Sequence, residues 1–451
     1  MQPTRPTQPA TPRRRRTSRR RFLQQSTSLG IGVWGASCRQ RARAATPNER
    51  LNIAAIGAGG KGRSDIRECE SENIVALCDP DEARAAESFA RYPKAARYRD
   101  YRQMLEQRKD IDAVLVSTPD HHHAPASILA MKLGKHVYCQ KPLTHCVYEA
   151  RVMRETAAQC GVATQMGNQG HSFDGTRRIV ELVRDGVIGK IRQVHVWTDR
   201  PGTYWKQPLD RPAERPPVPG HLDWDLWLGP APERPYHPVY VPHDWRAWWD
   251  FGSGALGDMA CHVADTAFWA LELSHPTSVE ADVPWVHPET APPWEIITYQ
   301  FPARGDLPPV TLTWYDAGAK PPQELGDGQP LASNGTLLIG DQGTIYAPDP
   351  YSSTFQLLPA EKFADYQGPE PTLPRSGNNP YQEWLTACKG GPPALSNFSY
   401  SGLLTETVLL GTVAVRVGKK IEWDAAQLRC PNAPEADQYL RREYRAGWTL
   451  G

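Results

Sequence analysis

Between Leu51 and about Met166, short apolar runs alternate with helical patterns, and this rhythm leaves the chain few ways to fold. "LNIAAIGAG", "NIVALCD", "DAVLVSTP", "HVYCQKP" and "VATQMGN" are β-branched and continuous, as strands buried on both faces must be. "KGRSDIREC", "EARAAESFARY", "YRQMLEQ", "PASILAMKLGK" and "VYEARVMRETAAQCG" carry helical spacing between them. A parallel neighbour is reached only by a crossover, usually a helix. Strands and helices in this succession predict a doubly wound parallel sheet, hence an α/β fold.

"AIGAGGKG" places Gly57, Gly59 and Gly62 in GxGxxG at the first strand-to-helix turn. Gly57 permits the tight turn, Gly59 lets the backbone approach a pyrophosphate, and Gly62 lets helix and strand pack closely. The helix N-terminus favours the phosphate charge. Asp79 ends the next strand, twenty-two residues after Gly57. An acid there takes both ribose hydroxyls and repels a 2′-phosphate, which favours NAD over NADP. An ordinary turn with an exposed Asp is the plainer alternative. Residues 50–168 are thus expected to form a Rossmann dinucleotide-binding domain, with Ala58, Gly60 and Lys61 also at the cofactor.

After Asn168 the texture changes. "FDGTRRIVELVRDGVIG" reads as one amphipathic helix ended by glycine, and "KIRQVHVWTDR" as an alternating strand. A Pro- and Trp-rich excursion runs from Pro201 to about Trp249. "GDMACHVADTAFWALEL" is helical again, and five strand patterns follow between Thr277 and Pro348. Residues 169–425 are expected to form an α+β domain with a large open, predominantly antiparallel sheet, and 426–451 a C-terminal tail.

Residues 1–44 hold eleven Arg, no Lys and no acid. Removing those eleven from the 51 basic residues leaves 40 against 50 acidic ones, so nucleic acid is an unsuitable partner for the remainder. Ser18-Arg19-Arg20-Arg21-Phe22-Leu23 matches a twin-arginine export pattern; a weakly apolar stretch over Leu29–Ala36 and the small-x-small site Ala42-Arg43-Ala44 follow. The expectation is a signal over 1–44 and a periplasmic or otherwise exported location. A disordered basic tail and lipid attachment at Cys38 are the alternatives. No run of eighteen apolar residues appears, which argues against a spanning helix. The eight cysteines beyond residue 44 contain no CxxC pair, so no metal knuckle is indicated, and they read as mostly free.

Three stretches carry side chains suited to chemistry. "VSTPDHHHAP" sets three adjacent histidines after a strand; in an extended loop such side chains diverge, so metal binding is not expected, and capping with solvent contact is the alternative for His121 and His122. "YCQKPLTH" places Lys141 at the sheet's carboxyl edge, where it can hold a developing alkoxide, or simply sit on the surface before a proline turn. "GALGDMACHVAD" places Asp258 and His262 four apart on one helix face. Such a couple can exchange a proton with a hydroxyl, or can be a cap beside a packed ring.

These stretches, in this order, resemble the Gfo/Idh/MocA oxidoreductases (glucose–fructose oxidoreductase, inositol dehydrogenase and relatives). The resemblance covers roughly residues 50–425. It implies catalytic roles for Lys141, Asp258 and His262, and cofactor contacts at Ser117, Thr118, Pro119, His123, Gln140, Lys141 and Gln169. His171 and Trp249, with Lys141, Asp258 and His262, are the candidate substrate contacts. Gln140 departs from the family's usual Glu, which weakens the usual proton-relay assignment. The implied activity is hydride transfer at a sugar, polyol or glycoside hydroxyl by a homo-oligomer (dimer or tetramer). Export of a folded protein to where little free NAD exists adds the expectation that NAD is held tightly and recycled in each turnover. Glycoside cleavage or epimerisation through transient oxidation, and a non-catalytic sugar-binding relative, stand as alternatives. Eight of the fifteen Trp fall between Trp197 and Trp269, suited to sugar stacking or to ordinary core packing.

Overall fold

A computed structural model describes residues 49–450; the twin-arginine pattern, its cleavage site and Cys38 lie outside the described residues. β1 (Asn52–Ile56) leads through α1 (Lys61–Glu68) to β2 (Asn73–Cys78), and α2 (Glu82–Arg91) to β3 (Ala96–Tyr98). α3 (Tyr101–Gln107) leads to β4 (Ala113–Val116), α4 (Asp120–Lys132) to β5 (His136–Cys139), and α5 (Val147–Cys160) to β6 (Thr164–Met166). All six strands are parallel in the order β3-β2-β1-β4-β5-β6. The doubly wound sheet is as expected. β3 escaped the apolar-run criterion because it is a three-residue, half-exposed edge strand, Ala-Arg-Tyr.

α6 (Asp174–Asp185) stops at Gly186, whose φ of 80° ends the helix in the left-handed region. β7 (Ile191–Trp197) follows, then α7 (Trp224–Leu228) within the Pro/Trp excursion. The helical pattern after Gly254 breaks at Ala264 into α8 (Gly254–Val263) and α9 (Asp265–Ala270). β8 (Ser278–Asp282), β9 (Ile296–Phe301), β10 (Val310–Tyr315), β11 (Gly335–Gly340), β12 (Thr344–Ala347) and β13 (Gln356–Leu358) complete most of a second sheet. Helices α10 (Pro380–Cys388) and α11 (Phe398–Val417) precede the closing strand β14 (Ile421–Glu422). The sheet has eight strands in the order β13-β12-β11-β7-β10-β9-β8-β14, antiparallel throughout except for β7 with β10. Burial alternates residue by residue along β9 and β10, so one face of the sheet covers the core.

A division at residue 168 separates the strands but not the helices. Tyr381, Trp384, Leu385 and Cys388 of α10 are buried in one cluster with Leu51, Ile53, Leu77 and Tyr138 of the first sheet, and the Tyr138 and Tyr381 rings stack at 4.8 Å. α11 packs on α5, tied by an Arg151–Glu406 ion pair at 2.7 Å. A helical apolar stripe tells that a helix has a buried face, not which sheet it covers. α11 is also long and apolar enough to pass for a membrane span, with mean hydropathy 1.3, yet 78 % of that window is buried within the protein.

The C-terminal segment, described as far as residue 450, is docked on the rest of the protein. Arg442 and the Tyr444 hydroxyl both donate to the buried carboxylate of Glu149, and Arg442 donates as well to the His121 carbonyl at 2.5 Å. The excursion is also docked: the Glu82 N–H donates to His221 O at 3.0 Å and the Asp223 N–H to Pro80 O at 2.9 Å. Cys69, Cys78, Cys139, Cys146, Cys261, Cys388 and Cys430 are free and buried, as read from the sequence.

Candidate active site

The carboxyl edge of the parallel sheet opens into a cleft of about 460 Å³, walled on its other side by α8 and the excursion. The glycine turn forms one end. At Gly57, φ is +84° and a Cβ would lie 2.4 Å from the Ser117 carbonyl oxygen; at Gly62 a Cβ would lie 1.9 Å from Gly57 O. Neither position admits a side chain, so the turn comes flush against β4. The Cβ of a residue at 59 would collide with Arg84, whose guanidinium lies against Gly60. Asp79 Oδ2 accepts the Ala58 N–H at 2.9 Å and the Gly59 N–H at 3.2 Å, while Oδ1 accepts from Asp81 N at 2.9 Å. Burial, opposed by these backbone donors, pushes the Asp79 carboxyl up to about 6. The glycine cradle, the start of α1 and the cations Lys61 and Arg84 fit a dinucleotide pyrophosphate, with Asp79 on the ribose side.

At the other end Lys141, following β5, reaches across to α8. Its Nζ donates to Asp258 Oδ1 at 2.8 Å and to Asp258 O at 2.7 Å. Arg246 Nε donates to the same Oδ1 at 3.0 Å. Burial alone would raise the Asp258 carboxyl, but Lys141 and Arg246 overcome it and hold the group well below the ordinary carboxylate range. His262, one turn on, lines the same wall with its ring edge-on to Tyr351 at 5.0 Å. Burial, with Lys141, pushes its pKa well below the usual imidazole value, so the ring is neutral; its Nδ1 is buried with no partner. The three residues expected to act together are therefore brought to one wall.

Ser117, Thr118, Pro119, Gln140 and Gln169 also line the cleft. His123 does not. It is buried between the loops, Nδ1 2.7 Å from Pro142 O and Nε2 2.9 Å from Thr118 O, so it braces the cofactor side rather than touching a ligand. Nor does His171 line the cleft. It is fully buried away from the cleft, against the Asp265 carboxylate at 3.0 Å and stacked on Trp269 at 4.0 Å. Trp249 lines a separate cavity and donates to His287 O at 2.9 Å. Among the Trp cluster only Trp227 and Trp245 reach the cleft; Trp197 and Trp248 are core.

The three histidines lie in the first turn of α4, not in an extended loop. His121 and His122 Nε2 both meet the Trp227 carbonyl, at 3.0 and 2.9 Å. Burial holds His122 and His123 down to about 4. They are neutral, buried braces. Sequence reading missed several cleft residues, among them Arg84, Asp120, Arg246, Tyr351 and Trp448. Asp120 stood in the quoted "STPDHHHA" and was legible there; Tyr351 and Trp448 arrive from distant loops and carried no local signal.

A dinucleotide turn facing a lysine–carboxylate–imidazole wall across an interdomain cleft defines a nicotinamide-dependent two-domain oxidoreductase. Comparison with known proteins agrees. Residues 51–168 match the oxidoreductase family's NAD-binding Rossmann fold and residues 174–306 its C-terminal α/β domain, and the chain belongs to this Gfo/Idh/MocA family. It is 31 % identical over 165 residues to a 2,7-anhydro-N-acetylneuraminate hydratase of Mediterraneibacter gnavus, covering 35 % of this chain and 43 % of that protein. It is 32 % identical over 155 residues to a glycosyl hydrolase family 109 protein of a Shewanella species, covering 32 % and 34 %. The matches thus span less than half the length of these curated relatives. The WlbA dehydrogenase of Bordetella pertussis, solved with NADH and UDP-GlcNAcA, shares the fold with a TM-score of 0.59 at 16 % identity, over 83 % of this chain and 99 % of that one.

Proposed function

We propose that the protein oxidises a hydroxyl of a sugar, polyol or glycoside, with NAD held through the turnover, and that it works after twin-arginine export as a homo-oligomer. Bound in the cleft, the nicotinamide supplies a hydride acceptor. The chain's own residues handle the proton and the charge. A Lys ammonium has three donors, and Lys141 spends two on Asp258, leaving one for the substrate oxygen as it becomes an alkoxide. Neutral His262 is the acceptor for the hydroxyl proton. Asp258, kept ionised by two cations, fixes the lysine and stabilises a protonated His262 one turn away.

The observation that carries this reading is that Lys141, Asp258 and His262 line the same cleft as the glycine turn. A protein that only binds sugars has no need of such a lysine–carboxylate pair. The glycosyl hydrolase family 109 and hydratase relatives are consistent with a second form of the same chemistry, in which the hydride would return to the substrate and a leaving group would depart. A panel of sugars and glycosides tests both. Net oxidation raises the near-ultraviolet absorbance of reduced nicotinamide. Transient oxidation releases aglycone without it. Epimerisation changes the sugar with neither signal, so absence of both, together with an unchanged sugar on product analysis across the panel with NAD bound, rejects the enzyme reading.

A further inference from the structure

Asp65, one turn after Lys61 on α1, is fully buried, and its carboxylate gathers four donors. Lys61 Nζ at 2.5 Å and the Tyr381 hydroxyl at 2.6 Å share Oδ1; Ser117 Oγ at 2.6 Å and Gln140 Nε2 at 2.9 Å share Oδ2. A carboxylate offers about four acceptor positions, so this one is saturated. The donors come from the cofactor turn, from α10, and from the ends of β4 and β5. Asp65 therefore ties the helix beneath the pyrophosphate site to the strand end that carries Lys141.

The tie has a consequence for Gln140. An ionised carboxylate only accepts, so Asp65 fixes which end of the amide faces it: Nε2 turns to Asp65, and the carbonyl Oε1 is left with no donor among the described residues, on a residue that lines the cleft. Gly167 leaves space for the amide, since a Cβ there would lie 2.6 Å from Oε1. A carboxylate at position 140 would instead confront Asp65 at hydrogen-bond distance, and the two could stay together only by sharing a proton.

We propose that Asp65 is a positioning residue that orients Gln140, so that Oε1 is a neutral acceptor, beside Lys141, for an N–H or O–H of the bound ligand. The proposal rests on the NAD-dependent reading above. Three variants test it: Gln140→Glu, Asp65→Asn, and the two combined. In the double variant the new amide at position 65 keeps a carbonyl oxygen for Lys61 and Tyr381. Its NH₂ group can donate to the new carboxylate at position 140, so the donor and acceptor exchange places.

At about pH 8 each single change is expected to weaken NADH binding, or to raise the substrate KM, by about tenfold, with the double variant recovering most of it. Loss of NADH affinity assigns the donor to the cofactor; a KM change at unaltered NADH affinity assigns it to the substrate. Gln140→Glu alone should recover relative to wild type at about pH 5.5, because a protonated carboxyl at position 140 donates to Asp65 as the amide does. The comparison with wild type at each pH removes the titration of Asp79 and Asp120, which both proteins share. A purely structural role would give no such recovery. If the single variants unfold, thermal melts of the double decide the same question. A double variant no better than the worse single, or Gln140→Glu indistinguishable from wild type at about pH 8, overturns the proposal. Wild type that binds no NADH would instead reject the functional reading.

Discussion

The Trp448 ring lies 5.9 Å from that of Tyr101, centroid to centroid, at the β2–β3 side of the cleft. His122 meets its edge at 5.5 Å, and the Arg102 guanidinium covers it at 3.9 Å while donating to Gly447 O at 3.0 Å. Arg445 secures the segment to Gly229 O at 3.0 Å and to Asp225. In a sheet of this order the adenosine would lie toward β2 and β3, the side of the cleft that Trp448 lines. Trp448→Ala is expected to speed NADH release about tenfold, the usual worth of one aromatic contact, and Trp448→Phe to restore most of it. Stopped-flow displacement measures this. Equal release rates in wild type and Trp448→Ala would remove the segment from cofactor retention.

Asp258 should separate catalysis from cofactor binding. Asp258→Asn leaves Lys141 and Arg246 without their shared carboxylate, and kcat is expected to fall by about 10²–10⁴ with NADH affinity changed only a few-fold. Stability reports the same pair. The folded pKa lies below the ordinary carboxyl value of 3.8, so the contribution of Asp258 is complete above that pH and is lost as the pH falls toward the folded value. Wild type should lose stability on acidification in that range, and Asp258→Asn should lose less. Parallel acid slopes in urea titrations would contradict the ion-pair assignment.

Much of this site was legible because its chemistry is local in sequence. Gly57, Gly59 and Gly62 lie in one turn, and Asp258 and His262 on one helical face, so spacing alone places them together. Lys141 with Asp258 needed the resemblance, since no periodicity joins two domains. His171 and Trp249 misled because a polar or aromatic residue near a site is as often packed as presented, and only tertiary burial distinguishes the two. Asp65 stood in plain view on α1. Its role depends on Gln140, Ser117 and Tyr381 converging from three other elements, which no single stretch records. The same holds for α10, whose apolar face fits either sheet.

Asp120 gives a pH signature of opposite sign to Asp258. It is buried at the start of α4, with Ser253 Oγ donating to Oδ2 at 3.2 Å, and burial pushes its carboxyl up to about 7 against the pull of Arg246 and Lys141. Between 3.8, its ordinary value, and about 7 the folded protein keeps a proton that the unfolded chain has lost. Its contribution to stability is therefore full below the lower value and disappears as the pH rises through the upper one. Asp120→Asn should flatten the fall in stability across that window by up to a few kcal/mol. Thermal melts at both ends measure it. An unchanged slope would place the proton elsewhere.

Asp79 is expected to govern which dinucleotide is taken. Its two oxygens accept from Ala58, Gly59 and Asp81, and about one acceptor position, on Oδ1, remains for a ribose hydroxyl, while a 2′-phosphate would meet its charge. Arg84 and Arg99 line the same end of the cleft, so cations stand ready for a phosphate once that charge is gone. Asp79→Ala is expected to weaken NAD binding about tenfold and to narrow the preference over NADP. Because the carboxyl titrates near 6, its repulsion is switched on as the pH rises through that value, and the wild-type preference for NAD should grow accordingly. The 2′-phosphate titrates in a similar range, but it does so equally against Asp79→Ala. The difference between the two proteins' pH dependences, from competitive NADH displacement by NAD and NADP, isolates Asp79, and identical dependences would assign the discrimination to another residue.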